Sequence, residues 1–245
     1  MKRLFLLLAF LLAAAPAHAD IYAQPTWDNL VHSLVRFGAL ELTDDVILDE
    51  YAAITDCDIY HAFHEQDFKW HEVRDAMRKS VEMNLTKYPG SYVYEDKLLL
   101  GRYDFKDQMY YFSEKNPLQK VNAFFMFRAA PLTCHETTIR FIPKAFRAIL
   151  DESVSIPGLP LTQRSADALL RRMDANNNKE RAIYVRFNLH INYIGKLSRN
   201  PNASDTSFVQ QGAPQNSPAL LNAQVDTIDF FEDERHTKLL YSYQP

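Results

Sequence analysis

The sequence predicts an α+β fold, with an N-terminal helical region followed by a mainly antiparallel β region with one inserted helix. Three observations lead there. Apolar residues recur at the helical period as far as Pro89-Gly90, the period falls to two beyond it, and strands and helices never alternate as βαβ units. The boundary therefore falls near residue 90. A helical region covers 20–90 and an antiparallel β region covers 91–245, as separate units or as one domain.

In the helical region Thr26 is a fitting N-cap, and Trp27, Leu30, Val31 and Leu34 follow at i, i+3, i+4 and i+7, one buried stripe that Gly38 ends. Thr43-Asp44-Asp45 opens a second helix with Ile47, Tyr51 and Ile54 on one face, its acids suiting the positive end of the helix dipole. Asp56 or Asp58 caps a short third helix carrying Ile59, Tyr60 and Phe63. Asp67 caps a longer fourth, where Trp70, Val73, Met77, Val81 and Leu85 keep helical spacing until Pro89-Gly90.

Beyond Gly90 the strand-forming stretches hold Tyr92, Tyr94, Leu98, Leu100, Tyr103 and Phe105, then 109–112 and 121–127. The clearest strand is 182–194: Ile183, Val185, Phe187, Leu189, Ile191 and Tyr193 alternate with Tyr184, Arg186, Asn188, His190 and Asn192, one face dry and the other wet. Thr162 caps the inserted helix, whose Ala166, Leu169, Leu170 and Met173 face inward. A hairpin around Glu232-Asp233-Glu234 ends the chain. Residues 199–218 are polar and without periodicity; their one adjacent apolar pair, Phe208-Val209, suits a lid over a cleft or an ordinary surface loop.

Residues 1–19 read as a Sec-type signal peptide. Lys2 and Arg3 precede an uncharged apolar run from Leu4 to Ala15, and Ala17-His18-Ala19 sets cleavage after Ala19. The run is about 12 residues, short of the roughly 20 that span a bilayer, so no stable membrane span is expected after cleavage. These features point to a periplasmic or secreted bacterial protein. Its two cysteines, Cys57 and Cys134, then suit one disulfide, closing a loop of about 77 residues worth on the order of 4 kcal/mol. The net charge of −4, without a Lys/Arg cluster, argues against nucleic acid as a partner.

Complete chemical motifs are absent. His64-Glu65, His71-Glu72 and His135-Glu136 each lack the second histidine four residues on that a zinc-hydrolase helix needs. There is no Gly-x-Ser-x-Gly elbow, no Ser-x-x-Lys and no phosphate-cradling glycine loop, and no cofactor is implied. A looser set, Asp58, His61, His64 and Glu65, places three of its members near one helical face, as metal ligands or as an ordinary solvated face. The wet sheet face with Tyr184, Arg186 and His190, and the Tyr-rich strand with Tyr92 and Tyr94, suit protein or sugar-like partners, or simply cross-strand packing. The resulting expectation is an exported, non-catalytic envelope protein that binds another protein or an envelope polymer. The alternative is a metal-dependent hydrolase built on Asp58, His61, His64 and Glu65.

Overall fold

The computed structural model describes residues 22–114, 118–128, 141–199, 208–211 and 218–245. Helices come first and a mainly antiparallel sheet follows, an α+β arrangement. Helix α1 (Trp27–Arg36) starts where the Thr26 hydroxyl accepts the Asn29 amide at 3.3 Å. It ends in a Schellman turn: Gly38 takes the left-handed φ of 66°, and the Ala39 and Gly38 amides return to the Leu34 and Val35 carbonyls. Asp44 caps α2 (Asp45–Thr55) by accepting the Val46 amide at 2.9 Å. Helix α3 (Cys57–Phe63) is two turns long and buries no residue. Helix α4 (Asp67–Asn84) begins after Gln66 and not after a capping Asp67, and passes into a 3-10 turn over Leu85–Lys87.

Only Trp70 of α4 is buried. Val73, Met77 and Val81 form the expected apolar stripe but stay half-exposed, so ion pairs with α2 hold the helix in place as much as burial does. Arg74 reaches Asp49 through Nε at 2.7 Å and Asp45 at 3.1 Å, and the Trp70 indole donates to the same Asp49 carboxylate at 2.9 Å.

The sheet contains β1 (Ser91–Asp104), β2 (Met109–Phe112), β3 (Leu118–Phe127), β4 (Phe146–Ile156), β5 (Gly158–Pro160), β6 (Ala182–Ile194), β9 (Ala219–Phe231) and β10 (Leu239–Tyr243). Their order is β3-β4-β9-β6-β1-β2-β5, with β10 also on β9. Every pairing is antiparallel except β4 with β9. Helix α5 (Gln163–Ala175) interrupts the strands, capped by Thr162, and buries Ala166, Leu169 and Met173. Short strands β7 (Leu197–Arg199) and β8 (Phe208–Gln210) pair with each other. Phe208-Val209 is therefore strand backbone, its peptide groups paired with β7.

The alternation foreseen over 182–194 holds through Ile191 and then fails at Tyr193, which is exposed. The β6–β9 register slips between Ile191 and Tyr193, and the extra residue on β6 turns Tyr193 outward and Ile194 inward.

One apolar core joins Trp27, Leu30 and Leu34 of α1 and Leu48 of α2 to Phe187, Leu189, Leu221 and Phe230 of the sheet. Two buried side chains fasten the helices to the segment entering β4 by polar bonds. The Trp27 indole donates to the Pro143 carbonyl at 2.9 Å. The Glu50 carboxylate, itself buried, accepts the amides of Phe141 and Ile142, each at 2.8 Å. Replacing Glu50 with Ala leaves two amides in or near the core without this acceptor. We expect Glu50→Ala to cost about 2–4 kcal/mol, read as a lower urea midpoint at unchanged m-value; an unmoved midpoint would mean that water replaces the carboxylate.

Candidate functional site

The candidate metal ligands gather only in part: the His61 and His64 rings lie 6.4 Å apart, edge-on, and His64 Nε2 lies 3.9 Å from a Glu65 carboxylate oxygen. Helix α3 stops at Phe63, so Glu65 lies in a turn and off the helical face that was to align it with Asp58 and His61. His64 instead stacks on Tyr60, ring centroids 4.4 Å apart, and its Nδ1 lies 2.8 Å from the Tyr60 carbonyl oxygen. Among the described residues no three His, Cys, Asp or Glu side chains gather as a metal-holding group, and Asp58, His61, His64 and Glu65 do not form one. Cys134 and His135-Glu136 lie outside the described residues; no free cysteine occurs among those described.

The sheet face is less open than its sequence suggests. Tyr92 points into the core, fully buried, with its hydroxyl donating to the Asn29 carbonyl at 2.6 Å. Tyr94 is half-buried and stacks on Phe124 at 4.3 Å. Arg186 forms an ion pair with Glu95 at 2.8 Å and lies over the Phe231 ring. The turn after β9 folds over this pair, bringing His236 against Glu95 at 3.4 Å and edge-on to Tyr184. Asn188 is buried, donating to Thr227 and Asp229. Of this face His190 and Asn192 stay exposed, His190 bonded through Nδ1 to Ser91 at 3.0 Å. Cross-strand pairing consumes the groups that were to meet a partner.

A more open site lies at the far end of β1. A cleft of about 590 Å³ runs between the β1–β2 turn and α5, lined by Tyr103, Phe105, Tyr110, Gln163, Arg164 and Asp167 among others. Local structure sets its aromatic wall. A bulge between Leu100 and Tyr103 inserts one residue into β1, and Gly101 sits where a Cβ would come within 3.1 Å of the Tyr111 carbonyl oxygen. Asp104 Oδ1 accepts the amides of Lys106 and Asp107, at 2.8 and 2.9 Å, closing the turn that presents Phe105. Across the sheet, Gly158 lets β5 approach β2, since a Cβ there would lie 2.2 Å from the Tyr110 carbonyl oxygen.

The three rings pack edge to face, Tyr103 lying 5.2 Å from Phe105 and 5.1 Å from Tyr110. Both phenols are fixed by bonds to backbone carbonyls, Tyr103 to Leu161 at 2.8 Å and Tyr110 to Ala166 at 3.2 Å. Phe105 is 71% exposed, a large apolar ring held over a polar rim. Tyr103 and Phe105 stood among the strand-forming residues of the sequence, and Tyr110 in the stretch 109–112. The rim on α5 was hidden, because helical periodicity marks only the inward side of that helix.

A second cleft, of about 440 Å³, opens among the helices beneath the half-exposed stripe of α4. His32, which sequence reasoning passed over, lines it with Tyr51 and Tyr88. His32 stacks flat on Tyr88 at 4.2 Å and its Nε2 lies 3.0 Å from the Tyr51 hydroxyl. Burial lowers the His32 pKa, with Asp28 opposing the shift, and burial pushes the Tyr51 phenol well above its ordinary range. His32 was visible only as a polar position beside the α1 stripe.

A family model described as a domain of unknown function (DUF4852) matches residues 43–171, more than half of the 245-residue chain. That segment runs from the N-cap of α2 into α5 and contains every residue that lines the aromatic cleft. No curated protein and no solved structure matches. No helix among the described residues is long and apolar enough to cross a membrane.

The lowered pKa of His32 has a signed consequence. Between that value and the ordinary histidine value of about 6.5, the unfolded chain binds the proton that the folded chain refuses. Stability therefore falls as pH falls through this window. Urea midpoints taken from pH 7.5 down to 5 should show the parent losing stability faster than His32→Gln; a gap between them that is independent of pH would contradict this.

Proposed function

The chain belongs to the DUF4852 family, and on that premise we propose that it is an exported, non-catalytic binding module whose aromatic cleft takes a saccharide segment of an envelope polymer. The observation that carries this reading is Phe105, a large ring left exposed beside polar side chains. A pyranose ring has an apolar face of C–H groups and an edge of hydroxyls. Phe105 and Tyr103 offer rings for the first, while Gln163, Arg164 and Asp167 offer donors and acceptors for the second. Fixed phenols keep the wall rigid, so little order is lost when a ligand binds.

Export rests on the composition of residues 1–19, whose basic start, apolar run and Ala17-His18-Ala19 site suit a cleaved leader. An oxidising destination suits a Cys57–Cys134 disulfide, which would tie the helical region to the β region.

Phe105 makes few contacts beyond the rings, so Phe105→Ala should alter stability by no more than about 0.5 kcal/mol. The same substitution should weaken binding to isolated cell-wall glycan or capsular polysaccharide about tenfold, measured by co-sedimentation or a glycan array. Equal retention of parent and variant, or retention of neither, would remove the saccharide reading. Protein recovered from the periplasm should begin at Asp20 and show no reactive thiol until reduced; an intact leader with two reactive thiols would contradict export.

A further inference from the structure

On the opposite side of Tyr88 from His32 lies a small cleft of about 200 Å³, lined by Arg36, Lys87, Gly90, Ser91 and His190 among others. Among the described residues no carboxylate lines it, although the chain carries a net charge of −4. We propose that this cleft is a binding site for a phosphate-type oxyanion.

Arg36 and Lys87 are each aimed by a bond to a neutral acceptor, which leaves their charge for a ligand. Arg36, at the end of α1, donates Nη1 to the Tyr88 carbonyl. Its guanidinium then lies against Gly90, where a Cβ would come within 3.1 Å of Nη1, so glycine is what lets the planar group lie on the backbone. One bond leaves most of the five guanidinium donors for a ligand. Lys87 donates to Asn84 Oδ1 at 3.1 Å and keeps two ammonium protons. His190 meets Ser91 through Nδ1 at 3.0 Å, and a serine that donates there makes Nε2 the N–H donor.

The walls are rigid. The Pro89 carbonyl accepts from the Ser33 hydroxyl at 2.7 Å and the Gly90 carbonyl accepts from the Ile191 amide at 2.8 Å. The donors therefore come from α1, from the turn after α4 and from β6, around a space with room for one tetrahedral anion and accompanying water. A fork, an ammonium and an imidazole N–H together match the several oxygens of a phosphate group.

The site lies apart from the aromatic cleft and stands whether or not that cleft binds a saccharide. A free phosphoester and a lipid headgroup share this chemistry, so the test has two arms. Inorganic phosphate is titrated into the isotope-labelled protein at constant ionic strength, following the amides of Gly90 and His190 by NMR. Vesicles of phosphatidylcholine with and without phosphatidic acid are tested by flotation. Lys87 and His190 are exposed, so Lys87→Ala and His190→Asn should keep the parental melting temperature.

Saturable shifts at Gly90 and His190, weakened about tenfold by either substitution, are expected if the ligand is soluble. Flotation that needs phosphatidic acid and is lost in both variants, without response to inorganic phosphate, would support the same site with a lipid headgroup as its source. The absence of both responses, or phosphate binding that both variants retain in full, would overturn the proposal.

Discussion

The hydroxyl of Tyr92 must find partners inside the core, and how it does so governs much of the molecule. A buried phenol without a partner is costly, and here the Asn29 carbonyl and the Ser33 hydroxyl on α1 supply what it needs. The Ser33 hydroxyl also lies 2.7 Å from the Pro89 carbonyl, its single proton serving one of these contacts at a time. One helix turn, the first residues of β1 and the turn before it are thereby fixed to one another. Tyr88 stands at the centre of this junction, with His32 stacked on it from the helical cleft and Arg36 bound to its carbonyl from the basic cleft. Both clefts inherit their shape from the same clamp.

A second clamp acts at the other edge of the helical layer. Trp27 and Glu50 bond to backbone between residues 141 and 143, just before β4. Helices with modest apolar faces thus gain a fixed position through a few buried polar bonds of long sequence separation. The surface of α4 shows what remains when such bonds are fewer: an apolar stripe that the fold covers only in part.

Sequence patterns carried the regular elements well. The stripe of α1, the alternation of β6 and the cap of α5 each depend on residues near in sequence, and local rules describe them. The face a tyrosine occupies was harder to read. Tyr92 and Tyr94 alternate like residues of a wet strand, yet β1 is covered by α1 at one and by Phe124 at the other, and only tertiary packing reveals this. Strand β4 escaped notice because Asp151, Glu152 and Ser153 are exposed in its middle and break the apolar alternation. For the candidate metal ligands the helix boundary was the hidden part: α3 ends at Phe63, so Glu65 leaves the helical face it was to share with Asp58 and His61. The aromatic cleft needed a bulge, two close-approach glycines and a helix rim, none of which leaves a periodic trace.

Strand β9 joins β4 on one side, in parallel, and β6 on the other. Among the described strands no other one pairs by backbone bonds with both the β3–β4 pair and the β6–β1–β2–β5 group. The sheet is therefore completed only when β9 enters between the two groups, whose facing edges stay open until then. Nucleation can begin in either half, but cooperative closure waits for β9. Until it arrives, those two open edges are places where a foreign strand can pair.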